Sequence, residues 1–344
     1  MHIKLVNDFK RLFCNFLCIF FILLIASCYH SSKLSLFSGN KMTINYRILV
    51  GQSLNATQKS QIHHLIDETF EEINQIYNKW NPQSEISHLN QLKAGKRCLL
   101  STQLYQFFQR LDQLVHLTEG RFDPTIEPLQ KLWKSHLELG LIPDPLEIEA
   151  LKPCLGWDKI HFKDQVFYKE DSRTQIDLGG IAKGYCVDLL VERLQQKGYA
   201  NVFVDWGGEI RTSGMHPDHR LWNIYISHFK DSHPTHALAY LSLDNQAIAT
   251  SGDYYQQWTV NTPEGQTLTY SHIFNPKTLQ PIIVSSKSIA SASLIANDCT
   301  TADGIAKVLM LFDSAEDAQQ WIESLRPHIP RLAYWVFTNE APLN

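Results

Sequence analysis

The densest chemical signal in the chain is Gln175-Ile-Asp-Leu-Gly-Gly-Ile-Ala-Lys-Gly-Tyr185. Asp177 closes an apolar stretch, Gly179 and Gly180 permit a tight turn, and Lys183 falls in the first turn of the helix that follows. Glycines let a ligand approach the backbone closely. The unpaired amides of a helix start favour an anion, and a lysine there adds a full positive charge. These residues suit a phosphate group, and they suit equally a plain strand–turn–helix connection. Neither the P-loop spacing nor GxGxxG is present, so this is neither a P-loop nor a dinucleotide fingerprint.

Four further clusters carry polar chemistry. Thr118-Glu-Gly-Arg-Phe-Asp-Pro-Thr125 holds Arg121 and Asp123 around a turn-initiating Asp-Pro, which also suits an ordinary surface loop. Ala249-Thr-Ser-Gly-Asp253 runs a strand into a hydroxyl-rich turn. Tyr270-Ser-His-Ile-Phe-Asn-Pro276 places His272 at a strand end, where a general base could be held. Thr300-Thr-Ala-Asp303 opens an apolar helix; Asp303 reads either as a first-turn acid matching the helix dipole or as a ligand for a hard cation.

The elements that must position these groups are legible from periodicity. Met42–Val50 reads as a strand. Residues 56–80 read as a helix capped by Asn55, with Ile62, Leu65, Ile66, Phe70 and Ile73 on one face and an end at Asn81-Pro82. A second helix follows Ser101. Past Trp157 come short strands at Lys159–Phe162, Gln165–Tyr168, Thr174–Asp177, Asn201–Trp206, Leu221–Ser227, Ala237–Leu243 and Ala247–Thr250. A long helix, Ile181–Lys197, lies among them and ends at Gly198. Helices at Thr301–Phe312 and Ala315–Leu325 and a strand at Arg331–Thr338 close the chain. Clustered strands without strict strand–helix alternation predict an α+β fold with mixed or antiparallel sheets and flanking helices, one large domain over residues 42–340, in one body or two lobes.

The chain has 344 residues, 31 Lys+Arg against 35 Asp+Glu, and 44% hydrophobic residues, which excludes a disordered chain, a coiled coil and a collagen-like repeat. A net charge of -4 argues against a nucleic-acid partner. Residues 1–27 read as an export signal: Lys4, Lys10 and Arg11 precede an apolar run shorter than the roughly 20 residues that span a bilayer. The run ends in Ile25-Ala26-Ser27-Cys28, which resembles a bacterial lipobox with Cys28 as the lipidated residue; an ordinary signal peptide or an uncleaved anchor are the other readings. Acyl chains on Cys28 would tie the chain to a membrane surface. Residues 28–41, polar and Ser-rich, read as a tether. Cys98, Cys154, Cys186 and Cys299 are too widely spaced for a zinc site.

Taken in order, the clusters resemble one family, the FAD:protein FMN transferases of the ApbE type. The resemblance rests on Met42–Tyr46, Trp80–Asn90, Gly120–Trp133, Asp177–Asp188 (with Cys186 where the family has Ala), Gly207–Gly214 (with Glu209 for Asp), Ala249–Tyr254 and Tyr270–Pro281. It implies binding of FAD and Mg²⁺, transfer of the FMN half to a threonine hydroxyl of another exported protein, and release of AMP. Carried over residue by residue, FAD contacts fall on Met42, Trp80, Arg121, Phe122, Asp123, Asp177, Lys183, His272 and Ile273. Metal ligation falls on the Gly180 carbonyl, on Asp303 and on the position of Lys307, and His272 is the implied general base. The implied acceptor is a threonine-bearing subunit of a membrane redox complex, and the implied location is the periplasmic face of a bacterial membrane, to which Cys28 would anchor the chain. FAD hydrolysis to FMN and AMP, or FAD binding without catalysis, are the alternative activities.

One position departs from the pattern. Where the family has a metal-binding threonine one helical turn after the aspartate, this chain has Lys307. A protonated amine has no lone pair for Mg²⁺. Either water, Thr300 or Thr301 fills the place, or Lys307 pairs with Asp303 or a phosphate.

Overall fold

The computed structural model describes residues 34–340 apart from positions 230, 232 and 263, so residues 1–27, read as an export signal, and Cys28 lie outside the described residues. In chain order the elements are β1 (Ser35–Lys41), β2 (Ile44–Val50), α1 (Ala56–Ile76), α2 (Glu85–Gln91), β3 (Cys98–Leu99) and α3 (Thr102–Leu117). There follow α4 (Glu127–Leu137), α5 (Pro145–Glu149), β4 (Ile160–His161), β5 (Val166–Lys169), α6 (Ala182–Gln196), β6 (Val202–Trp206), β7 (Glu209–Ser213), β8 (Trp222–Ile226) and β9 (Ala239–Leu243). The chain ends through β10 (Ala247–Gly252), β11 (Gln257–Asn261), β12 (Thr267–Asn275), β13 (Gln280–Ile283), β14 (Ile289–Ala296), α7 (Cys299–Leu309), α8 (Ala315–Ser324) and β15 (Ala333–Thr338).

A seven-stranded sheet in the order β1-β2-β6-β7-β10-β14-β15 forms the body, and every neighbouring pair in it is antiparallel. Alternation along β6 shows how the sheet is covered. Val202, Val204 and Trp206 face the core shared with α1, α3, α6 and α7, while Phe203 faces the β8–β9 hairpin on the other side. Strand β14 is buried along its whole length because both of its faces are covered. A second, three-stranded sheet, β11-β12-β13, packs its apolar face on α4 through Trp133, Val260, Tyr270 and Phe274.

Local chemistry sets the helix ends. Asn55 and Gln58 form a reciprocal capping box at the start of α1, and Ser101 caps α3 through the Leu104 N–H. Helix α1 stops at Ile76 rather than at residue 80, which leaves Lys79 and Trp80 in a turn. Two further expectations are corrected. Residues 35–41, read as the end of a tether, are strand β1, paired along its length with β2 and burying Ser35 and Phe37. Residues 174–177, read as a strand, make only one parallel bridge, Gln175 to Ile126.

The junction between α6 and α7 orders the centre of the molecule. A helix start leaves backbone N–H groups without intrahelical partners, and each of these helices supplies the other's cap. Asp188 of α6, fully buried, accepts the N–H groups of Cys299 (2.8 Å) and Thr300 (2.9 Å) at the start of α7. Asp303 of α7, 1% exposed, accepts the Gly184 N–H (3.1 Å) at the start of α6, whose own N-cap residue, Ile181, offers no side-chain bond. Arg211 (2.8 Å) and Arg110 (3.4 Å) balance the Asp188 charge. Asp188→Ala would strand both amides and take one of two carboxylate partners from each guanidinium, leaving Arg110 on Asp298 and Arg211 on Glu192. A loss of about 3–5 kcal/mol is expected, as for other broken buried ion pairs, read as a lowered midpoint in urea unfolding.

Candidate functional site

A cleft of about 890 Å³ opens between the body and the smaller sheet. Its size suits a cofactor-sized organic ligand. The β1–β2 turn brings Met42 to it, the turn after α1 brings Lys79 and Trp80, and the segment before α4 brings Arg121, Phe122 and Asp123. The Gly-Gly turn brings Asp177, Gly180 and Lys183; β12 brings His272 and Ile273; α7 brings Lys307. Every residue the resemblance assigns to FAD therefore lines this one cleft. Asp303 lies beneath it, reaching it through its contact with Lys307.

The aromatic groups differ in access. Trp80 is 78% exposed with the Lys79 ammonium 5.0 Å from its ring centre, whereas Phe122 is buried and sits against Gly180. Trp206 Nε1 and Ser251 Oγ are buried on the cleft wall with no hydrogen-bond partner among the described residues. Such groups are costly to leave unpaired, and a ligand with polar edges would satisfy them.

The carboxylates and ammonium groups are mostly spoken for. Asp177 accepts the Gly179 N–H (2.8 Å) and pairs with Lys79 (3.0 Å), which also bridges to Glu127 (2.5 Å). Sequence reasoning missed Lys79 and Glu127; the adjacency of Lys79 to Trp80 was the available signal. Asp123 is turned into its own loop, accepting the Thr125 N–H and hydroxyl, and burial raises its carboxyl above the usual range. Lys183, expected to meet an anion, is committed to buried Glu209 at 2.6 Å. Burial alone would lower the Lys183 ammonium, but Glu209 and Asp303 hold it above its usual value. Arg121 pairs with Glu119 (2.7 Å) and lies over the rings of Phe312 and Trp321. His272 places Nδ1 3.3 Å from the Gln256 carbonyl, which assigns its proton there and leaves Nε2 as the acceptor. Burial, then Lys307, holds its imidazole below the ordinary value of 6.5.

The residues present do not fit the magnesium ion that the resemblance implies. Mg²⁺ demands an octahedral shell of oxygens. Asp303 gives Oδ2 to the Gly184 N–H and turns Oδ1 to Lys307 Nζ at 3.4 Å. The threonines that could have substituted face away, Thr300 to Asp188 and Thr301 to Asp298. Among the described residues no three His, Cys, Asp or Glu side chains converge as metal ligands. An ion on Oδ1 would sit against the ammonium; like unit charges about 4 Å apart repel by about 4 kcal/mol at an effective dielectric near 20, and a divalent ion doubles that. Of the open alternatives for Lys307, the structure brings it to Asp303.

Gly184 makes the helix junction possible. A Cβ built there would lie 2.3 Å from the Cys299 carbonyl oxygen and 2.9 Å from Asp303 Cβ. Gly184→Ala gains about 0.5–1 kcal/mol of helix preference but forces apart two packed backbones, a strain of about 1–3 kcal/mol. A lower melting temperature is the expected result in a thermal scan.

Comparison with known proteins agrees with this geometry. The ApbE family pattern matches residues 39–332. The chain is 41% identical over 304 residues to a FAD:protein FMN transferase of Chlamydia pneumoniae, covering 88% of this chain and 92% of that one. It is 31% identical over 293 residues to a FAD:protein FMN transferase of Vibrio cholerae, covering 84% and 85%. Among solved structures, the apo form of Pseudomonas stutzeri flavinyl transferase ApbE matches with a TM-score of 0.75 at 25% identity, over 90% of this chain and 92% of that one. The flavin transferase ApbE from Vibrio cholerae matches with a TM-score of 0.72 at 27% identity, over 89% and 98%. With a family pattern and relatives matched over most of their length in agreement with an α+β body and its cleft, the chain belongs to the ApbE family.

Proposed function

We infer that this chain is a FAD:protein FMN transferase that moves FMN from FAD to a threonine hydroxyl of an exported acceptor protein and releases AMP. The observation that carries the reading is the single cleft that gathers the Gly-Gly turn, Lys307 and His272 beneath exposed Trp80. The names of the relatives supply the substrate pair.

The chemistry needs three things from the protein. The flavin needs flat apolar contact, which Trp80, Phe122 and Met42 supply. The diphosphate needs donors and positive charge near the bond that breaks, which the Gly180 N–H and the Lys307 ammonium supply. The acceptor hydroxyl needs a base. His272 Nε2 takes the hydroxyl proton as the oxygen attacks the FMN-side phosphorus; the bond to the bridging oxygen breaks and AMP leaves with that oxygen. The implied Mg²⁺ would add Lewis-acid stabilisation to that step, but the donor set at Asp303 does not fit it, and no step here is drawn through the ion. Exported location, lipid attachment at Cys28 and an acceptor in a membrane redox complex complete the reading.

Incubation with FAD and a threonine-bearing acceptor should raise the acceptor's mass by one FMN and release one AMP. AMP without a mass change on the acceptor would instead identify a FAD hydrolase, and uncleaved FAD would exclude both. His272→Gln is expected to slow transfer by about 10²–10⁴-fold, as loss of a general base does, without a matching loss of FAD affinity. Protonated His272 cannot accept a proton, so wild-type activity should fall as pH drops through a midpoint below 6.5 and stay level through neutrality. A midpoint above that value would remove His272 from this role.

A further inference from the structure

We propose that the Lys307 ammonium is the cation that meets the diphosphate in this chain, so that the site works without a divalent ion. The proposal rests on the flavin-transfer reading and says which group neutralises the substrate.

Three lysines stand at the Gly-Gly turn, and they are held differently: Lys79 is tied to Asp177 (3.0 Å) and Glu127 (2.5 Å). Lys183 is locked to Glu209 at 2.6 Å, a short charge-assisted contact with a carboxylate that is itself 1% exposed. Lys307 stands 3.4 Å from Asp303 Oδ1, well beyond the length of a good charge-assisted bond, and among the described residues it has no other acceptor. With one N–H turned to Asp303, two N–H donors are available on an ammonium that lines the cleft.

Its stem is seated as well. A Cβ on Gly180 would lie 2.9 Å from Lys307 Cδ and 3.2 Å from Cε, so the absence of a side chain at Gly180 is what lets the lysine lie along the turn. In the same turn the Gly179 N–H is taken by Asp177 and the Ile181 and Ala182 N–H groups by the Leu178 carbonyl, so the Gly180 N–H is the amide it can offer. Asp303 meanwhile is occupied on Oδ2 as the cap of α6, and it serves Lys307 as a loose counter-charge through Oδ1.

In the transfer step the ammonium keeps its proton. The acceptor hydroxyl oxygen bonds to phosphorus, its proton goes to His272 Nε2, and the bridging oxygen leaves on AMP with the electron pair of the broken bond. Lys307 donates hydrogen bonds to the phosphate oxygens as charge gathers on them.

The test compares wild type, K307M and K307T for AMP release and acceptor flavinylation, in EDTA and in a Mg²⁺ series. Wild type is expected to run at the same rate in both. K307M should fall by about 10²–10³-fold in either medium, as for loss of a transition-state donor. K307T places a hydroxyl beside Asp303 and should be slow in EDTA but recover with Mg²⁺. Mn²⁺ titration followed by electron paramagnetic resonance supplies a readout that needs no turnover and no folded variant: wild type with FAD should hold no stoichiometric Mn²⁺. A wild-type rate that collapses in EDTA and returns with Mg²⁺, stoichiometric Mn²⁺ on wild type, or K307M as fast as wild type would each overturn the proposal. No AMP from wild type under any condition would overturn the transfer reading, and the proposal with it.

Discussion

Everything in the cleft depends on how closely α6 and α7 cross. The two helix starts exchange carboxylates: Asp188 caps α7, and Asp303 caps α6. That exchange needs backbone-to-backbone contact at Gly184, where the Cys299 carbonyl occupies the space any side chain would take. Both carboxylates are desolvated, so their cost is recovered only if every lone pair finds a donor at good geometry. The amides of the opposing helix and Arg211 supply those donors. Two helix N-termini, each with partial positive charge, are thereby fixed side by side. The Gly179–Gly180 turn and Lys183 ride on one of them, and Lys307 rides one turn further along the other.

This arrangement explains why the charges in the cleft are mostly paired within the protein. Lys79 holds Asp177 and Glu127, Lys183 holds Glu209, and Arg121 holds Glu119. Unpaired charge buried in such a cleft is costly. Pairing aligns these groups, but it also leaves little free positive charge to offer an incoming anion. Among the lysine pairs at the Gly-Gly turn the longest is therefore the informative one. At 3.4 Å the Lys307–Asp303 contact gives up least when a stronger partner arrives.

Much of this was legible in the residues. Helices α1, α3 and α8 were legible because their ends carry local signals, Asn55, Ser101 and Ser314, whereas the short helices α2, α4 and α5 were not read. The cleft residues were found because their motifs sit at the ends of elements. The misses share a physical cause. Strand β1 alternates buried and exposed positions, but with Ser, Gly and Asn on it the alternation is too faint to separate from a linker. Strand β14, Ile-Ala-Ser-Ala-Ser-Leu-Ile-Ala, has no alternation because it is covered on both faces. Pairings such as Lys79 with Glu127 and Lys183 with Glu209 join residues distant in sequence, and periodicity carries no information about them.

The position of Lys307 shows how one side chain can change the demands of a site while the fold stays the same. Asp303 has to be present whatever lies above it, since without it the Gly184 amide at the start of α6 has no cap. A carboxylate held for that reason is a standing negative charge at the base of the cleft, and it needs a cation. A residue one turn later on α7 projects onto the same face. A short hydroxyl there would leave the charge to be met from solution. A lysine carries the cation on the chain, and Gly180 leaves room for its stem. Burial, and after it the field of that ammonium, holds the His272 imidazole below its ordinary value. One substitution thus links the counter-charge for the substrate to the protonation state of the base.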